Sequence, residues 1–287
     1  MNVKTVRYGT PSSAREFAQS LRETGFAVLT GHPIPGKLIS DTFAEWERFF
    51  ARPEPEKRQH TFRAETQAGY FPFRTENAKD HSIKDLKEFY HHYPARKELP
   101  AGVTDSTPEL YARLLQLGSE LLGWIEEETP ERIRGHFPMH LTQMIEGSDE
   151  NVLRILHYPP LSGMEEEGAV RAAAHEDINL ITLLPAATAP GLEVKDMQGR
   201  WHSVACDPGM IVINSGDMLK ETSRGHYPST THRVVNPIGG EARKSRYSMP
   251  LFVHPKPEAR LTETRTAGDY LRERLREIGL LSSKPVA

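Results

Sequence analysis

The sequence has 287 residues with 36 Lys+Arg against 39 Asp+Glu, a net formal charge of -3. Hydrophobic residues at 37%, charged at 26% and aromatic at 8% exclude collagen, coiled coil and wholesale disorder, and suit one or two globular domains. The near-neutral balance carries no cationic stripe for nucleic acid. The single cysteine, Cys206, allows neither an internal disulfide nor a multi-cysteine zinc site, so a reducing compartment, the cytoplasm, is the expected setting.

In chain order, Met1 to Phe17 lacks an apolar segment after Lys4 and Arg7, so neither export nor membrane anchoring is expected. Phe17 and Leu21 predict a helix stopped by Gly25, followed by a short strand at Phe26-Ala27-Val28-Leu29. Apolar residues at helical spacing predict a second helix over Lys37 to Phe50 and a third over Leu110 to Ile125. Between them, Ala51 to Thr107 is rich in charge, Pro and aromatics without a clear period, and reads as irregular structure forming a lid or pocket wall.

After Glu150 the texture becomes β-rich. Strands are expected at Val152 to His157, Ala169 to Ala174, Asn179 to Leu184, Leu192 to Val194, Trp201 to Val204, Met210 to Ile213, His232 to Val235 and Arg246 to Val253. Even the apolar-rich stretch Ile178 to Leu184 falls far short of a membrane span. Asp196 to Gly199 reads as a hairpin turn, Pro208-Gly209 and Asn214 to Asp217 as further turns, and Thr266 as the N-cap of a terminal helix reaching Ile278. So many short strands imply a barrel or sandwich: a mostly β fold with flanking helices. Residues 1–150 form a helical and lid region packed on a core at 151–287, together one unit.

The chemistry concentrates in His175-Glu176-Asp177 and His232. Two imidazoles and a carboxylate can take one face of a ferrous ion and leave three positions for an oxidant and a co-substrate. On an extended strand, His175 and Asp177 point to the same side while Glu176 points away. With 13 histidines in the chain, a lone His-x-Asp pair says little, and its companions decide. Arg246 and Ser248 share one strand face, a fork suited to a carboxylate, and Tyr158 precedes Pro159-Pro160. A dicarboxylic keto acid such as 2-oxoglutarate fits: one end chelates iron, and the far carboxylate meets Arg246, Ser248 and Tyr158.

In this set, and in its order, the sequence resembles the isopenicillin N synthase-like branch of the iron(II)/2-oxoglutarate-dependent oxygenases. The matching residues run from Gly25-Phe26-Ala27-Val28-Leu29-Thr30-Gly31-His32-Pro33-Ile34 through Tyr158-Pro159-Pro160, His175-Glu176-Asp177, Pro190-Gly191-Leu192-Glu193-Val194 and Asn214-Ser215-Gly216-Asp217 to His232-Arg233-Val234 and Arg246-Tyr247-Ser248. Many plant-type members carry Asn where this chain has Leu156. The resemblance implies a double-stranded β-helix (jelly-roll) core, iron on His175, Asp177 and His232, and 2-oxoglutarate on Arg246 and Ser248. It also implies dioxygen as oxidant, ascorbate as a candidate reductant, and oxidation of a C–H bond in a small molecule by hydroxylation, desaturation or cyclisation, with release of succinate and CO2.

By the period of two, Arg154 shares the face of Tyr158, which makes it the substrate-contact candidate. A buried guanidinium needs an anionic partner, so an anionic metabolite is expected. Tyr70 and Phe89, with Phe71 and Tyr90, are the candidate aromatic wall. Two other readings stand beside this one: an iron oxidase that holds its substrate's own carboxylate on Arg246 and Ser248, and a non-catalytic iron- or ligand-binding protein. No Gly-x-Ser-x-Gly elbow suggests a hydrolase, and Cys206 has no feature of an activated nucleophile.

Overall fold

Gly25 adopts φ 72°, where a side chain is strained, and its N–H closes onto the Leu21 carbonyl at 2.7 Å. This ends helix α1 (Ser13–Thr24) and turns the chain directly into strand β2 (Phe26–Thr30). A methyl group on Gly25 would lie 2.2 Å from Thr230 Oγ1, so the same residue lets the segment leading to His232 pass close by. The computed structural model describes residues 1–63, 65–77, 82–96, 99–205 and 207–277. Cys206 and Ile278 lie outside the described residues.

Strand β1 (Thr5–Arg7) precedes α1, and α2 (Gly36–Phe50) and α3 (Glu54–Arg58) follow β2. Strands β3 (Gly69–Phe71) and β4 (Glu88–His92) then lead to the long α4 (Ser106–Glu128) and the short α5 (Glu131–Arg134) and α6 (Leu141–Ile145). The remaining strands are β5 (Val152–Tyr158), β6 (Ala172–His175), β7 (Ile181–Pro185), β8 (Leu192–Lys195), β9 (Trp201–Ser203) and β10 (Met210–Ser215). After α7 (Asp217–Thr222) come β11 (His232–Val234), β12 (Arg246–Ser248), β13 (Leu251–Val253) and α8 (Ala267–Glu277). The hairpin at Asp196 to Gly199 joins β8 to β9, and Thr266 Oγ1 accepts the Asp269 N–H at 3.2 Å as the cap of α8.

Among the described residues, nine strands make one sheet in the order β1-β2-β10-β7-β13-β5-β4-β3, with β12 also on β5; β6-β11-β8-β9 make a second. The outer face of the large sheet is covered by α4, which buries Leu110, Leu114, Leu117, Leu121, Leu122 and Ile125 at the helical period. Each such leucine or isoleucine removed from water contributes roughly 1.5–3 kcal/mol. The inner face looks toward the small sheet. Alternation sorts β5 cleanly: Leu153 and Ile155 join the α4 core, while Leu156 and Tyr158 join Phe71, Phe89, Ala172 and Val234 inside.

Three sequence expectations change here. The fold is mixed rather than mostly β, because the helices hold more of the described residues than the strands do. Ala51 to Thr107 is not wholly irregular: it supplies β3 and β4, which extend the large sheet beyond β5. The segment Arg246 to Val253 is two strands, broken at Met249-Pro250, because proline cannot donate to a ladder. No helix among the described residues is long and apolar enough to cross a membrane.

Candidate metal and co-substrate site

His175 closes β6 and His232 opens β11, and the two are register partners across the small sheet. Their rings lie 4.4 Å apart. Asp177 sits two residues beyond His175, with Oδ1 at 3.8 Å from His175 Nε2 and 3.7 Å from His232 Nε2. One ligand atom from each of the three lies within 4.8 Å of the others, the separation expected of donors to one ion.

Neighbouring groups aim these donors. His175 Nδ1 lies 2.8 Å from the Ala173 carbonyl and His232 Nδ1 3.1 Å from that of Thr230. A carbonyl only accepts, so each Nδ1 carries the hydrogen and each Nε2 presents a lone pair to the shared point. Asp177 Oδ2 accepts from Thr182 Oγ1 at 2.6 Å and Asn214 Nδ2 at 2.8 Å, which leaves Oδ1 for an ion. Burial lowers the His175 pKa to about 4, and the adjacent His232 pushes the same way. Burial alone would raise Asp177, but His232, His175 and its two hydrogen bonds hold it below the ordinary carboxylate range. Neutral imidazole and ionised carboxylate are the forms a divalent cation needs. The donor set, two nitrogens and one oxygen on one side with no sulfur, fits ferrous iron.

The inner face of the large sheet supplies the next layer. Arg246 pairs with Tyr158 and Ser248 with Leu156, and Arg246, Ser248 and Tyr158 are all buried. Arg246 Nε donates to the Ala189 carbonyl at 2.9 Å, and its guanidinium lies 5.1 Å from the centre of the Tyr158 ring. Further along β5, Arg154 lies over the rings of Phe89 at 4.7 Å and Phe252 at 5.3 Å. Phe89 is inside, stacked at 4.4 Å on Phe71.

Tyr70 is a correction. It lies on the opposite face of β3 from Phe71, packed among Phe49 and Tyr90, and its hydroxyl donates to Glu88. It reinforces the outer core, and Phe71 is the residue of that pair that reaches the interior. The reasoning attached to Arg154 also changes. Its guanidinium is already answered by Glu76 at 3.2 and 3.4 Å, and its Nε donates to His91 Nε2 at 2.8 Å. Lys87 Nζ reaches Glu76 and Asp85 at 2.8 Å each, so two cations and two carboxylates balance on this wall. Burial would raise Glu76, but Arg154 and Lys87 hold it well below the carboxylate range. A charged substrate is therefore not required to neutralise Arg154.

Thr182, Glu76, Lys87 and His91 were not singled out from sequence, and Asn214 was read there as a turn residue within a matching motif, without a role behind Asp177. Alternation along β7 could have found Thr182, an isolated polar residue between Ile181 and Leu183. Glu76 and Lys87 come from the charged stretch whose strands gave no periodic signal.

This fold and donor set define a class, the non-haem iron oxygenases, and comparison with known proteins gives the family. Residues 149–255 match the 2OG-Fe(II) oxygenase superfamily, and residues 8–112 match the N-terminal region described as non-haem dioxygenase in morphine synthesis. A 2-oxoglutarate-Fe(II) type oxidoreductase of Aspergillus fumigatus is 31% identical over 88% of this chain and 81% of its own. A Shewanella oneidensis structure assigned to the oxygenases is 49% identical with a TM-score of 0.87, covering 98% of this chain and 100% of that one. A full-length Neurospora crassa protein crystallised with alpha-KG shares the fold at TM-score 0.79 and 24% identity, covering 95% of each chain. The chain belongs to the 2OG-Fe(II) oxygenase superfamily and is an Fe(II)/2-oxoglutarate-dependent dioxygenase.

Proposed function

We propose that this enzyme oxidises a C–H bond of a small metabolite, with His175, Asp177 and His232 as the iron ligands inside a double-stranded β-helix core. Arg246, Ser248 and Tyr158 then receive the far carboxylate of 2-oxoglutarate. Residues 1–150 serve as the helical wall and 151–287 as the core of one unit, a reading supported by the pairing of β2 with β10. The observation that carries the assignment is the convergence of three donor atoms within 4.8 Å, each Nδ1 already bonded to a carbonyl, with the buried pair Arg246 and Ser248 on the other sheet.

Ferrous iron held by His175, Asp177 and His232 would supply the oxidising power: one atom of dioxygen goes into succinate as 2-oxoglutarate loses CO2, and the other goes into the hydroxylated substrate or, in desaturation or cyclisation, leaves as water with the two hydrogens removed. The chain's own residues do the positioning. Thr182 and Asn214 fix the Asp177 carboxylate, and Phe71, Phe89 and Leu156 keep water from the interior. Arg154 offers the substrate its open side, about a fifth of the side chain. Because Glu76 already balances its charge, the fitting substrate group is a hydrogen-bond acceptor, a carbonyl as well as a carboxylate. One relative of this fold, the Neurospora crassa protein, has been crystallised with thymine.

Oxygen uptake by the iron-loaded protein tests the reaction. Uptake that needs added 2-oxoglutarate and yields succinate supports it; uptake without the keto acid supports an oxidase, and binding of iron without any turnover across a metabolite library supports a non-catalytic role. On a substrate so identified, Arg154→Ala is expected to lower turnover while 2-oxoglutarate binding persists.

A further inference from the structure

Arg171 lies in the bend before β6 and is only 1% exposed. Its main-chain N–H donates to Asn236 Oδ1 at 3.0 Å and its guanidinium to the Lys244 carbonyl at 3.0 Å. The guanidinium carbon is 5.9 Å from the centre of the Tyr158 ring, the ring that Arg246 approaches at 5.1 Å. Two cations thus flank one tyrosine at the end of the site remote from Arg154. The Arg171 Nε is buried without a hydrogen-bond partner, and among the described residues no carboxylate forms an ion pair with Arg171.

A buried guanidinium near a second one is costly in two ways: each loses hydration, and the pair repel across a medium that screens poorly. Burial first, then Arg246, hold the Arg171 pKa below the usual guanidinium range. Elsewhere on the inner wall the chain balances its cations, as Glu76 and Asp85 do for Lys87 and Arg154. Among the described residues no carboxylate does this for Arg171, and a ligand that reaches the Tyr158 ring can bring one. The ligand that brings a carboxylate to this end is the keto acid itself.

We propose that Arg171 is a second cation of the co-substrate site, which attracts the distal carboxylate of 2-oxoglutarate and raises selectivity for dicarboxylic over monocarboxylic oxo acids. The proposal rests on the assignment of Arg246 and Ser248 to that carboxylate. Arg171 acts through its charge, so its removal weakens the dicarboxylate and spares an oxo acid whose far end is a methyl group.

Calorimetric titration of the Mn(II)-loaded protein with 2-oxoglutarate and with 2-oxopentanoate, in the absence of air, tests this without turnover. Arg171→Gln keeps a donor for the Lys244 carbonyl and loses the charge; it is expected to raise the Kd for 2-oxoglutarate roughly tenfold or more and leave that for 2-oxopentanoate within about threefold. Arg171→Lys is expected to restore most of the affinity. Should Arg171→Gln not fold, Arg171→Met provides the same comparison. An unchanged Kd for 2-oxoglutarate, or equal losses for both acids, would overturn the role of Arg171. If Arg246→Gln also left 2-oxoglutarate binding unchanged, the assignment of the site itself would fall with it.

Discussion

At the scale of single residues, the candidate metal centre is a set of hydrogen bonds before it is a set of ligands. Each imidazole has one nitrogen committed to a main-chain carbonyl, and the carboxylate has one oxygen committed to Thr182 and Asn214. Removing a ligand and removing a group behind a ligand should therefore differ in degree. His175→Ala and His232→Ala are expected to abolish iron binding, whereas Thr182→Val, which withdraws one bond from Asp177, should weaken Mn(II) affinity by about 10–100-fold. Calorimetry on the three variants checks the order, and equal, small effects in all three would contradict the assignment. The residue scale is also where the sequence was most informative. His175, Asp177 and His232 are brought together as their spacing and residue types suggested, and Arg246 and Ser248 share an inward face as alternation required. Tyr70 was misread because the three residues of β3 are all buried, so no polar partner in the sequence marks which side faces in.

At the scale of elements, strand β4 explains much of what the sequence concealed. Glu88, His91 and His92 are buried polar residues on both faces, so the strand lacks the apolar alternation that would announce it. Its polar groups are satisfied by distant residues: Glu88 by Lys57, Tyr70 and His157, and His91 by Arg154. His92 is the exception. It is 4% exposed, its ring nitrogens have no partner, and burial lowers its pKa to about 4 from an ordinary 6.5. Folding thus favours the neutral ring. The associated stability is complete above pH 6.5 and is lost as the pH falls toward 4, because the unfolded chain takes up the proton first; the loss is about 3 kcal/mol. Denaturant unfolding of His92→Leu should show a flatter acid limb by that amount, and a limb parallel to the wild type would refute the point. Gly216, which caps α7, gives a second test. A methyl group there would lie 2.3 Å from the Asn179 carbonyl, on the segment linking Asp177 to Thr182. Gly216→Ala is expected to cost roughly 1–3 kcal/mol of stability and to weaken metal binding as well.

At the scale of the whole molecule, the first 92 residues supply four strands, β1 to β4, of the large sheet. Strand β2 pairs along its length with β10, and β4 along its length with β5, so both ends of the large sheet come from residues before 150. An ion at the proposed site would tie β6 to β11 and, through the bonds of Asp177 to Thr182 and Asn214, the small sheet to the large one. A metal that binds only the folded chain at a hundred times its Kd should add about 2.7 kcal/mol to stability. Thermal unfolding with and without Mn(II) should show the shift in the wild type and none in His232→Ala; a shift in both would place the ion elsewhere.

The candidate site residues also divide between the two sheets. Both imidazoles stand on the small sheet, while Arg154, Phe89, Tyr158, Arg246 and Ser248 stand on the large one. On the proposed assignment, substitutions at Arg154 or Phe89 should re-aim the enzyme toward a new molecule while His175 and His232, on the other sheet, stay in place. The sheet that would hold the ion and the strand that carries Arg154 can thus vary independently of each other.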